Sequence, residues 1–364
     1  MDKTKQLLSL RTEIDDVDLQ IHALLNKRAS LAISVAEAKK QGNENAEIVY
    51  YRPEREAQVL RKVMERNEGP LDGEVVARLF REIMSSCLAV EQRMKIAYLG
   101  PEGTFTQTAA LKHFGHSVEV VAFNTIDEVF REVEAGSANY GVVPVENSSE
   151  GMVNHTLDSF MNSPLRICGE VALRIHQHFL MSENGKPENI TRVYSHQQSL
   201  AQCRKWLDSH WPSVERISVS SNAEAAKRTK GEWHSAAIAG DTAAELYGLT
   251  KFAENIEDSP DNTTRFLIIG QEEIPASDED KTSVIVSTRN RPGALYRLLA
   301  PFQELDISLT RIETRPDKTG TWAYVFFIDF EGHESDENIQ KVMEKIAEES
   351  VQLKLLGSYP KAVL

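Results

Sequence analysis

The sequence predicts a multidomain chain with an all-α three-helix module, a two-lobed α/β unit and a small α+β unit of ferredoxin-like topology. Three observations predict it. Over 5–92 the apolar residues recur at alternating spacings of three and four. From Lys95 onward, short runs rich in β-branched residues alternate with helical stretches. Beyond an acidic stretch at 270–281, the pattern becomes strand–helix–strand–strand–helix–strand over about 80 residues, the ferredoxin-like order. A length of 364 residues also exceeds what one hydrophobic core organises.

In the first segment, apolar residues at 7, 10, 14, 17, 21 and 24, then 31, 35 and 38, mark one long helix with a coiled-coil-like seam. Gly42 and the "GNEN" stretch end it. Pro53 suits the first turn of a second helix, "EGPLDGE" at 68–74 is a turn, and "EVVARLFREIMSSCLAVEQ" is a third helix. Three helices with an uncovered seam leave apolar surface to a second copy, so self-association is expected. In the second segment "KIAYLG", "VEVVAF", "YGVVPV", "RVYSH", "RISVS" and "SAAIAG" read as buried, mostly parallel strands. The long "LRICGEVALRIHQHFLMS" reads as a strand crossing between two lobes, with the cleft between them as the binding site. The stretch "GQEEIPASDEDK" has no periodicity and reads as a linker.

Bulk properties narrow the function. A net charge of −14 argues against nucleic acid and anionic membranes as partners, although a small anion responds only to local charge. No apolar run reaches membrane-spanning length and the N-terminus lacks a signal-type core, so a cytoplasmic protein is expected. Cys87, Cys168 and Cys203 are widely spaced and fit reduced thiols. The histidines show no metal-ligand spacing, and the reading calls for no metal or cofactor.

The first helix carries its charges in an unusual pattern. Arg28 stands in the apolar stripe between Leu24 and Leu31, where a plain dimer seam would prefer leucine. Arg11 and Lys39 are four heptads apart and share a heptad position, yet lie about 42 Å apart along a straight helix. One chain cannot bring them together. Two antiparallel helices can, giving two symmetric cationic sites shared across a dimer and suited to a small dicarboxylate.

Residues 5–92 resemble the all-helical chorismate mutase family at Arg11, Arg28, Lys39, the "RPERE" stretch with Arg55 and Glu56, and Glu91. The resemblance implies a pericyclic rearrangement of chorismate to prephenate. Such a reaction requires a held conformer and charge stabilisation at the ether oxygen, with no nucleophile. It implies that Arg11 of the partner chain and Arg28 clamp carboxylates, that Lys39 donates to the ether oxygen, and that Glu56 accepts the substrate hydroxyl. Arg55 supports the electrostatics, and Arg52 offers a backbone contact. Two positions depart from the family pattern. Cys87 replaces a serine, and Glu91 replaces a glutamine that donates to the ether oxygen. A carboxylate donates only when protonated, so mutase activity favoured by mildly acidic pH is expected.

The middle segment places polar clusters at strand ends. These are Thr104 with Thr106 in "YLGPEGTFT", Glu146, Asn147 and Ser148 in "VVPVENSSEG", Ser195, His196 and Gln197 in "YSHQQSLAQC", and Ser220 and Ser221 in "SVSSNAEAA". Thr104 sits where exposed N–H groups favour an anion. Together with "TTRF" at 263–266, these stretches resemble prephenate dehydratase over about residues 95–270. Gln197 departs from the proline common after the histidine. The resemblance implies a cleft of periplasmic-binding-protein-like architecture in which prephenate loses carbon dioxide and hydroxide to give phenylpyruvate. It selects Thr264 as the key polar residue, gives Arg265 a carboxylate-anchoring role and adds Phe266 to the site. Strand alternation puts Thr264 and Arg265 on opposite faces, so both share the cleft only if the strand is irregular there.

The last segment resembles an ACT regulatory domain, through "RPGALYRLL" and "IETRP". The resemblance implies that Gly293, Ala294 and Leu295, with Glu313, Thr314, Arg315 and Pro316, enclose L-phenylalanine between paired copies. The expected division is 1–92, 93–270, a linker at 271–281, and 282–364, with phenylalanine closing the cleft through the linker. The leading reading is a bifunctional enzyme of phenylalanine biosynthesis, homo-oligomeric through its helical module. Its substrates are chorismate and prephenate. Two others stand beside it: a dehydratase whose helices only dimerise, and a two-lobed small-molecule binding protein with a regulatory tail.

Overall fold

The structure is a computed structural model that describes residues 3–42, 51–149, 151–289, 291–316 and 324–364. It begins with α1 (Lys3–Gly42), a single helix of 40 residues and so about 60 Å long. Helix α2 (Pro53–Glu65) starts with Pro53 in its first turn, and α3 (Gly73–Glu91) is capped by Asp72, whose side chain accepts from the Glu74 N–H at 2.9 Å. The "NEN" of the expected helix end lies outside the described residues. The seam of α1 is bare: Leu7, Ile14, Val17, Leu24 and Leu31 are all more than half exposed. Ala36 is the one residue of this helix that is buried among those described.

The first lobe contains β1 (Lys95–Leu99), α4 (Phe105–Phe114), β2 (Glu119–Phe123), α5 (Ile126–Glu134), β3 (Tyr140–Asn147), β4 (Gly151–Met152), α6 (Asn154–Asn162) and β5 (Arg166–Arg174). The second lobe contains β6 (His178–Met181), β7 (Arg192–His196), α7 (Gln197–Gln202), α8 (Arg204–His210), β8 (Glu215–Val219), α9 (Asn222–Lys230), β9 (Ser235–Ala239), α10 (Asp241–Tyr247) and β10 (Thr250–Ala253). The chain then returns through β11 (Thr263–Gly270) into the first sheet, whose order is β2-β1-β3-β11-β5. The second sheet runs β10-β6-β9-β7-β8. The expected crossing strand is therefore two strands, β5 and β6, broken at 175–177.

Both sheets are mixed rather than mostly parallel. β1 pairs in parallel with β2 and β3, and β7 with β8 and β9, but β11 and β6 are antiparallel to their neighbours. The cause is the double crossing, because a strand that returns from the other lobe enters its sheet from the opposite end.

The C-terminal unit has the expected order: β12 (Asp280–Thr288), α11 (Ala294–Glu304), β13 (Leu309–Pro316), β14 (Tyr324–Glu331), α12 (Glu337–Glu349) and β15 (Gln352–Pro360). Its antiparallel sheet runs β13-β14-β12-β15. One face packs under α11 and α12 through Val284, Val286, Leu298, Phe302, Ile328 and Val342. The other lies against the first lobe, where Ile285, Phe327 and Leu356 share one core with Val143, Val145, Leu267 and Ile269. The opposite face of that lobe's sheet, with Ile96, Tyr98, Val142, Phe266 and Ile268, meets Tyr51 of the helical module and Met94 just before β1. The first lobe's sheet is thus held between the other two units.

The stretch expected as a linker is anchored. Ile274 and Ser277 are buried, Ser277 bonds the Asp280 carboxylate at 2.6 and 2.7 Å, and Arg61 of α2 donates to the Ser277 carbonyl at 2.7 Å. No described helix is long and apolar enough to cross a membrane.

Candidate functional site

In the helical module, four of the expected residues converge. Arg28 and Lys39 lie on the half-buried part of α1, Glu56 on α2 and Glu91 on α3. Burial pushes the Glu56 carboxyl up from its ordinary pKa, while Arg81 and Arg28 pull it back. Glu91 is likewise raised by burial, against Lys39 and Arg28. Arg28 therefore acts on both acids from one position. Cys87 is buried one helical turn before Glu91 on α3 and shares its face. Arg52 is exposed and reaches Glu54 at 3.3 Å, and Arg55 is exposed. Arg11 is exposed and about 25 Å from Arg28 along the helix, so its own chain does not bring it to this cluster.

Sequence reasoning missed Arg81. Its Nε lies 3.2 Å from Glu56 Oε1, and its Nη1 donates to the Lys112 and His113 carbonyls at 3.1 and 2.5 Å. Both side chains are at least 85% buried, which is a costly pair to break. The signal was weak, since arginine on an amphipathic helix usually reaches into solvent.

Thr264 is buried on the face of β11 turned from the C-terminal unit, and its Oγ1 accepts from Asn147 Nδ2 at 2.8 Å. The two residues are cross-strand partners in register. Asn147 also reaches Asn262 Oδ1 at 3.1 Å, and Asn262 donates to Gln202 Oε1 of α7 at 3.1 Å. This amide chain joins the lobes. Ser148 Oγ accepts from the Thr263 N–H at 3.0 Å.

In the second lobe, Ser195 is buried and donates to the Ile238 carbonyl at 2.7 Å, with Asn222 Oδ1 2.9 Å away. The His196 N–H donates to the same Asn222 oxygen at 3.1 Å. Asn222 in turn donates to Ser199 at 2.9 Å, as does Gln177 at 3.0 Å. Ser221 caps α9 by accepting from the Glu224 N–H at 3.0 Å. Gln197 and Ser220 are exposed, and His196 is half-buried.

Thr104 precedes α4 but donates to the Leu99 carbonyl at 3.2 Å rather than capping the helix, which leaves the first N–H groups of α4 without a side-chain cap. Gly103, at φ +87°, leads into it, and a Cβ there would sit 3.4 Å from the Ala243 backbone of the second lobe. Asn222, Gln177, Ser199, Asn262 and Gln202 were all missed. Each lies in the short helix α7, at the start of α9, at a crossing or in a loop, where a polar residue reads as an ordinary cap, turn or surface residue.

Three expectations need correction. Arg265 faces the C-terminal unit, not the cleft. Its Nε meets Glu170 at 2.8 Å, its Nη1 Asp329 at 2.6 Å and its Nη2 donates to the Tyr359 hydroxyl at 2.9 Å. Burial alone disfavours its charge, but Tyr359, Asp329 and Glu170 outweigh this and raise its pKa. With all three nitrogens engaged, no fork remains for a substrate carboxylate. Glu146, in register with Arg265, faces the same way and pairs with Arg311 of β13. Phe266 is a core residue, 1% exposed. The alternation of β11 accounts for Arg265 and Phe266, and a register shift in its pairing with β3 turns Glu146 to the same face as Arg265.

In the C-terminal unit Gly293 adopts φ +75° at the start of α11, a left-handed conformation that a side chain would strain. Ala294 is half-buried and Leu295 exposed beside it, next to an apolar cavity of about 540 Å³ bounded by α11, Ile307 and Leu309. Glu313, Thr314 and Pro316 lie on β13, the open edge of the sheet. Arg315 is turned away to Asp158 of α6 at 2.8 Å, a further bond between the units.

Among the described residues, no group of three or more His, Cys, Asp or Glu side chains is placed to hold a metal ion. All three cysteines are free and buried.

Comparison with known proteins agrees with this geometry. The prephenate dehydratase family model matches residues 96–274, the type II chorismate mutase model 10–92 and the ACT domain model 282–348. A curated bifunctional chorismate mutase/prephenate dehydratase from Pseudomonas aeruginosa is 64% identical over 360 residues, covering 99% of both chains. A solved prephenate dehydratase from Arthrobacter aurescens, in complex with L-phenylalanine, is 32% identical with a TM-score of 0.68, covering 73% of this chain and 89% of that one. A solved quorum-quenching acylase described as a novel type is 26% identical with a TM-score of 0.69, covering 74% of this chain and 98% of that one. Taken together, near-complete coverage by one relative and three family matches in order mean that the chain belongs to the bifunctional chorismate mutase/prephenate dehydratase family.

Proposed function

We propose that the chain rearranges chorismate to prephenate in its helical module, then converts prephenate to phenylpyruvate in the cleft between its lobes. The observation that carries this reading is the convergence of Arg28, Lys39, Glu56 and Glu91 in one module of a chain whose second module buries the Thr264–Asn147 pair. The modules divide near 92 and 271, and the three free, buried thiols fit a reducing cytoplasm.

In the mutase step, Arg28 and the partner chain's copy of Arg11 grip the carboxylates. Lys39 and a protonated Glu91 donate to the ether oxygen as its charge builds. Glu56 accepts the hydrogen bond of the substrate hydroxyl, and Arg81 and Arg28 oppose the rise in its pKa that burial causes. Arg11 requires a second copy, and the exposed seam of α1 supplies the surface, which supports a homodimer through this helix.

In the dehydratase step, the electrons of the breaking bond to carbon dioxide fill the ring and expel hydroxide from the opposite ring carbon. Thr264 accepts its hydrogen bond from Asn147, so its own proton is available to the departing oxygen. With Arg265 engaged elsewhere, substrate carboxylates fall to the uncapped N–H groups at the start of α4 and to His196.

L-phenylalanine acts at α11 and β13. Its effect reaches the cleft through Arg265 and Glu146, the neighbours in sequence of Thr264 and Asn147. Feeding chorismate to the purified protein and following both products tests the whole reading. Prephenate without phenylpyruvate removes the dehydratase, and no loss of chorismate removes the mutase.

A further inference from the structure

A second cationic cavity of about 640 Å³ opens where α3 of the helical module meets α4, the end of β5 and α10. Its size suits a small organic ligand. Arg78, Lys112 and Arg174 converge on it, with Arg81 at its inner end and Thr108 and Thr242 on its far wall.

The charge balance is unusual. Glu82, an acid on this wall, is engaged by His116 through its ring at 2.8 Å and its backbone N–H at 3.0 Å. His176 is paired with Glu257 at 3.0 Å and Arg81 with Glu56 at 3.2 Å. Arg174 donates to the Pro260 carbonyl at 2.8 Å and Lys112 to the Ala172 carbonyl at 3.0 Å. Among the described residues, neither these two nor Arg78 has a carboxylate within ion-pair distance. Burial lowers the Lys112 pKa, and Arg81 and Arg78 lower it further, while Glu74 opposes them. A chain of net charge −14 thus gathers three cations around one cavity, none of them ion-paired among the described residues, with Glu82 and Leu364 as the acid-bearing residues of its wall. A cleft lined by one sign of charge focuses positive potential and raises the local concentration of a small anion.

The location narrows the guest. Arg81 and Lys112 also line the adjoining cavity that contains Glu56. At the other end, Thr108 and Thr242 meet at 2.7 Å where the two dehydratase lobes touch. We propose that this cavity is a binding site for a small dicarboxylate of prephenate's class, held by Arg78, Lys112 and Arg174 between the two catalytic centres. The choice of dicarboxylate rests on the bifunctional reading. The charge argument for an anion does not.

Equilibrium dialysis of the full chain against labelled cyclohexane-1,4-dicarboxylate, a stable probe of similar size, tests it. The double substitution Arg78→Gln with Arg174→Gln is expected to remove one bound probe per chain, or weaken it at least tenfold. Both residues are exposed, so the fold and both kcat values are expected to stay within twofold. Thr242→Asp, which adds an acid to the far wall, is expected to weaken the same site independently. An unchanged probe count in both variants overturns the proposal, as does the absence of any binding that they alter. Inorganic phosphate is the second arm. Displacement of the probe by phosphate at a tenfold lower concentration than by unlabelled dicarboxylate makes this a phosphate site and overturns the dicarboxylate assignment. Chorismate turnover, measured separately, shows whether the bifunctional reading itself has failed.

Discussion

Substituting Arg265 by methionine keeps most of its volume and removes its charge. Around it, Glu170 and Asp329 balance Arg265 and Lys281 in a mostly buried group, with no side chain more than 15% exposed. After the change, Lys281 still holds Glu170 at 2.8 Å and Ser283 still donates to Asp329 at 2.6 Å. One carboxylate loses its ionic partner. Breaking a buried pair costs about 3–5 kcal/mol, and the surviving contacts put the expected loss near the lower end, about 3 kcal/mol. If this group couples the phenylalanine site to the cleft, its loss also removes a coupling of about 1–3 kcal/mol, roughly 5–150-fold in inhibition. The assay is dehydratase rate against phenylalanine concentration, alongside thermal unfolding and a double-mutant cycle with Asp329→Leu. The expected result is a destabilised but folded enzyme that turns over prephenate and responds little to phenylalanine. Intact inhibition in a variant whose cycle shows the Arg265–Asp329 interaction gone would refute the coupling.

Thr264→Val should lower dehydratase kcat about 100- to 1000-fold, as loss of one donor to a developing oxyanion does, and leave the mutase unchanged. A change under tenfold would exclude Thr264 as the donor. For Glu91, the raised pKa means that the donating, protonated form persists to higher pH than for an ordinary glutamate and is lost as pH rises through that value. Mutase activity should therefore fall with rising pH in the native chain and flatten in Glu91→Gln. A flat native profile between about pH 5 and 8, unaltered in that variant, contradicts the donor role. Mixing inactive Arg11→Ala and Arg28→Ala chains should restore about a quarter of native mutase activity, because half the dimers regain one of two shared sites. No recovery on subunit exchange places both residues in one chain's site.

The elements set by local chemistry were legible in the sequence. The spacing of α1, the proline opening α2 and the order of the C-terminal unit each follow from short-range patterns. Alternation allows only one of Thr263 and Thr264 to face the cleft, and the family resemblance rather than the spacing selects Thr264. What was hidden depends on distant partners. Arg265 beside Thr264 resembles a substrate anchor until Glu170 and Asp329, 95 and 64 residues away, are seen to claim it. The mixed strand directions arise from a double crossing that no single strand encodes. Arg81 is an ordinary helix arginine until Glu56 is buried against it.

Stopped-flow turnover of chorismate by the full chain, with prephenate and phenylpyruvate followed together, tests the central claim most directly. Prephenate should appear first and phenylpyruvate follow, with Thr264→Val halting the course at prephenate while chorismate is consumed at the native rate. Phenylpyruvate formed at the native rate by that variant, or chorismate left intact by the native chain, would contradict the account.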